Sequence, residues 1–149
     1  MMTESPRGFT LLIAVILTSV LVSVGLALVD VTYKQLILAS TAKNSQIAFY
    51  NADSALECGL YHDQRFNAFS QDVATTSITC NSATPISVTV QTSGALRTST
   101  FSVPCESGTS AGVTVMKNTT GATAIYANGY SSCDTTDVRR IERGLKVTY

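Results

Sequence analysis

The stretch FTLLIAVILTSVLVSVGLALV, residues 9–29, decides how this chain folds. Its 21 residues carry no charge and are rich in Leu, Ile and Val. At about 1.5 Å of rise per residue, a helix of this length spans roughly 32 Å, which is enough to cross the hydrocarbon core of a bilayer. The sequence therefore predicts a membrane-spanning helix close to the N-terminus.

Three kinds of N-terminal segment fit this apolar run. A secretory signal peptide has a shorter apolar region, of about 7–15 residues, and a small-residue cleavage site, for which 24–27 is the available candidate. A simple membrane anchor requires only the apolar run itself. The third interpretation also uses the residues in front, because Met1–Gly8 is a short polar leader that ends in Arg7-Gly8 and is followed at once by Phe9.

This leader resembles that of the type IV pilin superfamily, which includes minor pilins and pseudopilins. In that family a membrane-embedded prepilin peptidase cuts after the final Gly of the leader and then methylates the new N-terminal residue. The resemblance implies cleavage between Gly8 and Phe9 on the cytoplasmic side, followed by methylation of Phe9. The positive-inside rule also places Arg7 on the cytoplasmic side. We favour this interpretation over the other two.

One position departs from the family pattern. Major pilins have a Glu at the fifth residue after the cut, where this chain has Ile13. In the family this carboxylate is thought to meet the N-terminal amine of a subunit already in the filament, and an unpaired charge at mid-bilayer costs about 2.5–3.5 kcal/mol. Because Ile13 cannot make this pairing, the resemblance implies a minor subunit at the filament tip or in an initiation complex. The alternative is that the pairing is dispensable.

The residues beyond the apolar run follow two successive patterns. Between residue 30 and about residue 63 there is no Pro. Mostly small, apolar residues recur there at steps of three and four, which indicates a narrow apolar stripe along one face of a helix. Its members are Ile37, Thr41, Ala48, Ala52, Ala55, Leu56 and Gly59 or Leu60. Farther along, short segments with a period of two indicate strands at 77–80, 86–90, 98–103, 113–115, 122–128 and 140–149.

These patterns predict an α+β fold with three parts. Residues 1–8 form the leader, and residues 9–63 form one long helix that is transmembrane over 9–29 and amphipathic over 30–63. Residues 64–149 form a small antiparallel β-sheet head, on which the outer half of the helix packs. This arrangement is pilin-like, and segments 55–61, 129–134 and 139–145 also look like those of PilX-like minor pilins.

All four cysteines, Cys58, Cys80, Cys105 and Cys133, follow the predicted span. No C-x-x-C pair is present, which argues against a zinc ribbon or a redox motif. Two disulfides are expected in an oxidising compartment. We favour Cys58–Cys80 with Cys105–Cys133, each bond contributing about 3 kcal/mol in the chain-entropy model. The sequence leaves the other two connectivities, and four reduced thiols, open.

The sequence contains no recognisable catalytic constellation, so we expect neither enzymatic activity nor a cofactor. His62 is the only histidine and lacks the partners that a catalytic triad or a two-histidine metal site requires. Asp53 and Glu57 are four residues apart on the predicted helix and fit a solvated face better than an acid–base pair.

Polar residues near the C-terminus suggest three weaker candidates. Asp134 and Asp137 are possible calcium ligands, although they lack the spacing of an EF-hand. A basic run is interrupted by Glu142 and comprises Arg139, Arg140, Arg143 and Lys146. With a net charge of zero, this run does not favour nucleic acid as a partner. Asn118 begins an N-x-T sequence, which we interpret as a turn.

The resemblance predicts a minor type IV pilin that takes part in pilus assembly or initiation. It would first lie in the bacterial cytoplasmic membrane with its head outside, and later in the extracellular pilus. The implied partners are the prepilin peptidase, the inner-membrane assembly platform, the lipid bilayer before assembly, and other pilin subunits through the N-terminal helix. A type II secretion pseudopilin and a membrane-anchored adhesin or DNA-capture module that never polymerises remain alternatives.

Overall fold

The computed structural model describes residues 7–73, 75–80, 84–106 and 108–149, with only the backbone of residues 7 and 8. Within these ranges one helix, α1, covers Arg7–Phe66 and is followed by seven strands. The strands are β1 Ser77–Ile78, β2 Ile86–Ser87, β3 Thr89–Ser93, β4 Leu96–Cys105, β5 Gly108–Asn118, β6 Thr123–Tyr130 and β7 Glu142–Thr148. The chain divides into two compact units, Met1–Thr41 and Ala42–Tyr149.

The helix ends at Phe66 because the next residue leaves the right-handed helical conformation. Asn67 has a φ of 49°, and Asn is one of the few residues other than Gly that adopts this region readily. The N–H of Asn67 donates to the carbonyl oxygen of Asp63 at 2.9 Å, and that of Ala68 donates to His62 at 3.1 Å. The predicted end at residue 63 was therefore three residues too early.

Strands β3 to β7 form a five-stranded antiparallel sheet in which each strand pairs with its neighbour in sequence. Gly94, with a φ of 59°, makes the tight turn between β3 and β4, where a left-handed residue is needed. The expected strand at 86–90 is in fact two strands in different sheets. β2 pairs with β1, whereas β3 pairs with β4, and Val88 between them donates to the carbonyl oxygen of Thr76.

The part of α1 after Ala42 packs on one face of this sheet through small side chains. Ala48 and Ala52 are completely buried, and a Cβ added at Gly129 of β6 would overlap the backbone of both. The stripe predicted from the sequence is therefore correct from Ala48 onward. Its first two members, Ile37 and Thr41, are exposed, because no described residue of their own unit packs against them. The predicted α+β layout of a long helix and a small antiparallel sheet is confirmed.

Larger side chains fill the rest of the core between helix, sheet and connecting segments. Phe69, in the segment after α1, stacks on Phe101 of β4 with ring centroids 6.1 Å apart. Around this pair lie buried apolar residues from every layer, including Leu56, Ile78, Ile86, Val88, Val113, Val115 and Ile125. Because these residues come from separate stretches of sequence, the core ties the whole 42–149 unit together.

Candidate functional site

The first candidate site is the apolar segment of α1. Every side chain from Phe9 to Lys43 is exposed, including large apolar ones such as Leu21 at 71%. By length and composition α1 is suited to crossing a membrane. An apolar surface of this extent is rare on a protein that remains in water and marks contact with lipid or with other proteins.

Three polar side chains of the 9–29 run form hydrogen bonds within the helix. Thr18, Ser19 and Ser23 each donate a hydroxyl hydrogen bond to a carbonyl oxygen three or four residues earlier, at 2.8–3.0 Å. Such bonds remove the need for water as a partner, which is the requirement for entry into hydrocarbon. The first charges after Phe9 are Asp30 and Lys34, which pair at 2.7 Å on the helix surface.

The predicted processing site is only partly covered by the structure. Residues 1–6 of the leader lie outside the described residues, and Arg7 and Gly8 are described as helical backbone alone. Phe9 is 66% exposed and Ile13 is 41% exposed. Position 13 therefore adds to the apolar surface of the segment, whereas the Glu of major pilins would carry a charge there.

The 42–149 unit contains a buried ion pair that the sequence analysis missed. Lys117 of β5 contacts both carboxylate oxygens of Asp63, at 2.7 and 2.9 Å, and the side chain of Asp63 is only 2% exposed. The hydroxyl of Tyr149 donates to the same carboxylate at 2.8 Å. Burial, together with this carboxylate, raises the pKa of Tyr149 well above its usual value. The three residues connect the end of α1, the end of β5 and the segment after β7.

A second missed residue, Arg97, holds the connection between α1 and β1. Its guanidinium donates to the carbonyl oxygens of Gln71 and Val73, and the residue is 7% exposed. Counting in steps of two from the buried Phe101 places Arg97 on the inner face of β4, and the same count from Val113 places Lys117 inside β5. The alternation of buried and exposed residues along each strand could therefore have shown that Arg97 and Lys117 face the interior.

Both disulfides have the pairing favoured from the sequence. Cys58 of α1 is bonded to Cys80, with the Cα atoms 5.7 Å apart. Cys105, at the end of β4, is bonded to Cys133 beyond β6, with the Cα atoms 6.1 Å apart. The first bond ties the helix to the segment that follows β1, and the second ties the end of β4 to the loop that follows β6.

A groove of about 480 Å³ lies beside the Cys58–Cys80 bond, within the 42–149 unit. Its walls include Asn51, Glu57 and Tyr61 of α1, together with Val103 and Ser110 of the sheet. Asn51 is committed to the structure, because its amide donates to the carbonyl oxygen of Tyr130 at 2.8 Å. Among the described residues, no three His, Cys, Asp or Glu side chains are grouped as a metal site would require.

The remaining sequence candidates on and beside α1 occupy local structural positions. The Nε2 of His62 lies 2.9 Å from the carbonyl oxygen of Thr79, and because a carbonyl oxygen only accepts, this hydrogen bond requires the tautomer with a hydrogen on Nε2. Asp53 is partly exposed and Glu57 exposed. Asn118 accepts hydrogen bonds from the N–H groups of Thr120 and Ala122, so the N-x-T sequence forms the expected turn.

The two aspartates proposed as calcium candidates each stabilise a turn. Asp134 accepts from the N–H and the hydroxyl of Thr136, and these bonds lower the pKa of its carboxyl. Asp137 accepts from the N–H of Arg139 at 2.9 Å. Each carboxylate therefore already has a hydrogen-bonding role in the loop.

The basic run does not form one patch. Arg140 stacks on Tyr130 and donates to the carbonyl oxygens of Ser132 and Thr109. Arg143 lies on the helix-facing side of β7, where its guanidinium donates to Ser45 of α1. Lys146 is three residues after Arg143 in β7 and therefore lies on the opposite face, where it is placed over the ring of Tyr126. Two of these cations thus belong to different faces of one strand.

Comparison with known proteins adds no identification. No protein family, curated protein or solved structure matches the chain.

Proposed function

We propose that this protein is a membrane-anchored structural subunit of the type IV pilin kind, specifically a minor pilin. The observation that carries the proposal is the bare apolar surface of α1, which is exposed from Phe9 to beyond Leu38. Such a helix requires lipid before assembly and the apolar helices of other subunits afterwards. The helix–sheet unit that follows it has the layout expected of a pilin head.

Helix packing supplies the driving force for such an assembly. Between lipid and a filament core there is little hydrophobic gain, so association depends on van der Waals packing and close approach of small residues. The exposed segment contains Ala14, Ser19, Ser23, Gly25 and Ala27. A Cβ added at Gly25 would meet no atom within 4 Å, which leaves this surface open for a neighbouring helix.

Processing of the leader tests the proposal most directly. The full chain is expressed in bacteria with and without a prepilin peptidase, and the N-terminus of the membrane-extracted protein is determined by mass spectrometry. A mature chain that begins with methylated Phe9 supports the pilin assignment. An intact Met1 supports a simple anchor, and a new terminus near residue 27 supports secretion; either result would contradict the proposal.

Two glycine variants make that experiment specific. Gly8→Val removes the residue before the expected cut, so it should leave the precursor uncut. Gly25→Val changes a glycine at which an added Cβ meets no atom within 4 Å, and it should be processed as the wild type is. Equal processing of both variants would show that cleavage does not depend on the leader glycine.

We place the subunit at the filament tip because Ile13 supplies no carboxylate for the N-terminal amine of a subunit above it, and a subunit at the tip has none above it. In a strain that makes pili, labelled wild-type protein is then expected only at filament ends. The Ile13→Glu variant restores the missing carboxylate and should also appear along the shaft. Wild-type protein found along the whole length of purified filaments would refute the tip position without affecting the pilin assignment.

A further inference from the structure

Strand β7 forms one edge of the five-stranded sheet. The carbonyl oxygens of Ile141 and Tyr149 accept from the N–H groups of Ser131 and Thr123, so the odd-numbered residues of this stretch direct their main-chain groups towards β6. The even-numbered residues therefore direct theirs away from the sheet. Within the described part of the chain no strand pairs with this outer side of β7, which is formed by Glu142, Gly144, Lys146 and Thr148.

The two charged residues on this side have no opposite charge beside them. Glu142 is exposed, and no cation of the described residues forms an ion pair with it. Lys146 lies over the ring of Tyr126, 5.0 Å from the ring centroid, and likewise has no carboxylate partner among the residues described. Between the two charges, Gly144 carries no side chain that would keep a neighbouring main chain away. The edge therefore offers a strand both main-chain groups and two separated, opposite charges.

These positions are self-complementary in one antiparallel register. When Gly144 faces Gly144 of a second copy, Glu142 faces Lys146 of that copy at both ends of the pair. Opposite charges directly across two strands stabilise the pairing by about 0.2–1 kcal/mol each. Sliding one strand by two residues removes both charge pairs, because Arg143 then faces Arg143 in one direction and Glu142 faces the uncharged Thr148 in the other. The register centred on Gly144 is therefore the one that the charges select.

We infer that β7 is an interaction surface for a second copy of this chain, whose own β7 pairs with it antiparallel in this register. About six main-chain hydrogen bonds form at Gly144 and at the two Glu142–Lys146 pairs, since each facing pair exchanges two bonds. An edge strand is a ready template for such pairing. The other edge strand, β3, contains no charged residue, so charges select no register there. The inference does not depend on the pilin assignment.

The second copy has to approach in the opposite orientation. Helix α1 runs along β6 from Gly129, which contacts Ala48 and Ala52, to Ile125, which lies beside Gly59. It therefore points in the same direction as β7, which is antiparallel to β6. Antiparallel β7 strands consequently bring antiparallel helices, an arrangement that neighbours anchored in one membrane cannot adopt. The pairing joins chains that are free to turn relative to one another.

The small size of the contact makes the pair short-lived. One strand on one strand buries less than the about 1,200–2,000 Å² of stable interfaces between free proteins. Free chains should therefore sediment as monomers, and a covalent bond is needed to trap the pair.

Cysteine cross-linking of the full-length chain in detergent tests the register. Gly144→Cys places two thiols across the centre of the pair, where facing Cα atoms are about 5.5 Å apart and a disulfide can form. The added Cβ meets only the side-chain oxygen of Asn128, at 3.0 Å, which can move aside. Thr148→Cys is the control on the same edge, because its two copies lie about 27 Å apart at about 3.4 Å per residue.

The four native cysteines are already paired with one another. After mild oxidation, non-reducing electrophoresis should show at least threefold more disulfide-linked dimer for Gly144→Cys than for Thr148→Cys. Equal yields from the two variants, or no dimer from either, would overturn the pairing.

Charge reversal in the Gly144→Cys chain tests the complementarity separately. Glu142→Lys places two lysines opposite each other at both ends, so it should lower the dimer yield at least threefold. Adding Lys146→Glu to the same chain restores opposite charges and should restore the yield. Melting temperatures of the variants check that each one is folded, and a double variant that folds without recovering the yield would refute the pairing.

Lys146→Thr distinguishes pairing from protection of the edge. Lysines on edge strands can prevent pairing with other chains. In the register centred on Gly144 the lysine instead faces a carboxylate, so loss of its charge should lower the yield of the Gly144→Cys dimer. A yield that stays the same or rises would show that Lys146 does not hold a second copy and would overturn the inference.

Discussion

The two compact units of this chain use helical sequence in opposite ways. In residues 9–41 every side chain is exposed, although the segment is overwhelmingly apolar. In residues 42–149 the helix contributes mainly Ala and Gly to its contact with the sheet, and yet Ala48 and Ala52 are completely buried. Hydrophobicity alone therefore does not predict burial within this chain; the presence of a neighbouring surface does.

This difference separates two sources of stability. The 42–149 unit contains the core, both disulfides and the buried ion pair, so its folding free energy comes from its own contacts. The 9–41 segment has only its backbone hydrogen bonds and a few side-chain bonds along the helix. Its environment has to supply the rest, because most helical stability in proteins comes from packing of an apolar face.

Removal of the first unit is the strongest test of this separation. A chain that begins at Ala42 should be monomeric and soluble without detergent, whereas the full chain should need detergent or lipid. We expect its melting temperature to lie within about 5 °C of that of the full chain, because no core residue is lost. Sedimentation and thermal unfolding check both points, and an aggregated or unfolded 42–149 chain would show that the separation is wrong.

The next largest effect is expected where helix and sheet meet most closely. Gly129→Ala inserts a methyl group against the backbone of Ala48 and Ala52, which cannot move aside as a flexible side chain can. Overpacking of this kind should cost about 3 kcal/mol, or on the order of 10 °C in melting temperature. Gly112→Ala is the control, because its added Cβ has no atom within 4 Å.

A Gly129→Ala protein that melts within a degree of the Gly112→Ala protein would mean that the helix is seated farther from β6 than described. Denaturant titration of both variants in the 42–149 chain gives the comparison directly. A change in the transition midpoint without a change in slope assigns the effect to stability rather than to compactness.

The smallest effect concerns alkaline pH. The folded-state pKa of Tyr149 is raised by burial and by the Asp63 carboxylate, so its contribution is complete below the usual tyrosine pKa of about 10. This contribution is lost as the pH rises from about 10 towards the folded-state value. Tyr149→Phe should cost about 1 kcal/mol at neutral pH, through loss of one hydrogen bond.

Tyrosinate absorbance measures this titration. Deprotonation of Tyr149 should be absent at pH 10.5 and appear only when the protein unfolds, and this late component of the absorbance change should be missing in Tyr149→Phe. The stability difference between wild type and variant should shrink above pH 10. A constant difference up to pH 11.5 would indicate that the hydroxyl of Tyr149 does not donate to Asp63.

Much of the fold was accessible from the sequence because its signals are local and periodic. The uncharged run at 9–29, the small-residue stripe from Ala48 and the alternating segments after residue 77 each reflect one element and its buried face. The division of 86–90 into β2 and β3 was not accessible, because Val88 continues the alternation while the backbone changes partner. Which strand a residue pairs with is a nonlocal property.

The site could be predicted less completely for a similar reason. Asp63 lay within the segment read as a helix end, and nothing near it in sequence indicates that Lys117 and Tyr149 reach its carboxylate. The basic run at 139–146 is continuous in sequence but not in space, because Arg143 and Lys146 are three residues apart in one strand and therefore lie on opposite faces. The apolar segment was the one functional feature that composition alone disclosed, because its chemistry is the same all round the helix.

The close contact between Gly129 of β6 and the helix backbone also has a mechanical consequence. At Gly129 the backbone of Ala48 and Ala52 lies directly on β6. Main-chain atoms of the helix and of the strand therefore block sliding of the helix along the sheet. The contact between helix and sheet would therefore resist a pulling force applied along the helix after Ala42. The Cys58–Cys80 disulfide would carry part of the same force. Slippage would require the helix to lift off the sheet first, so the head should yield under force in one abrupt step rather than by gradual creep.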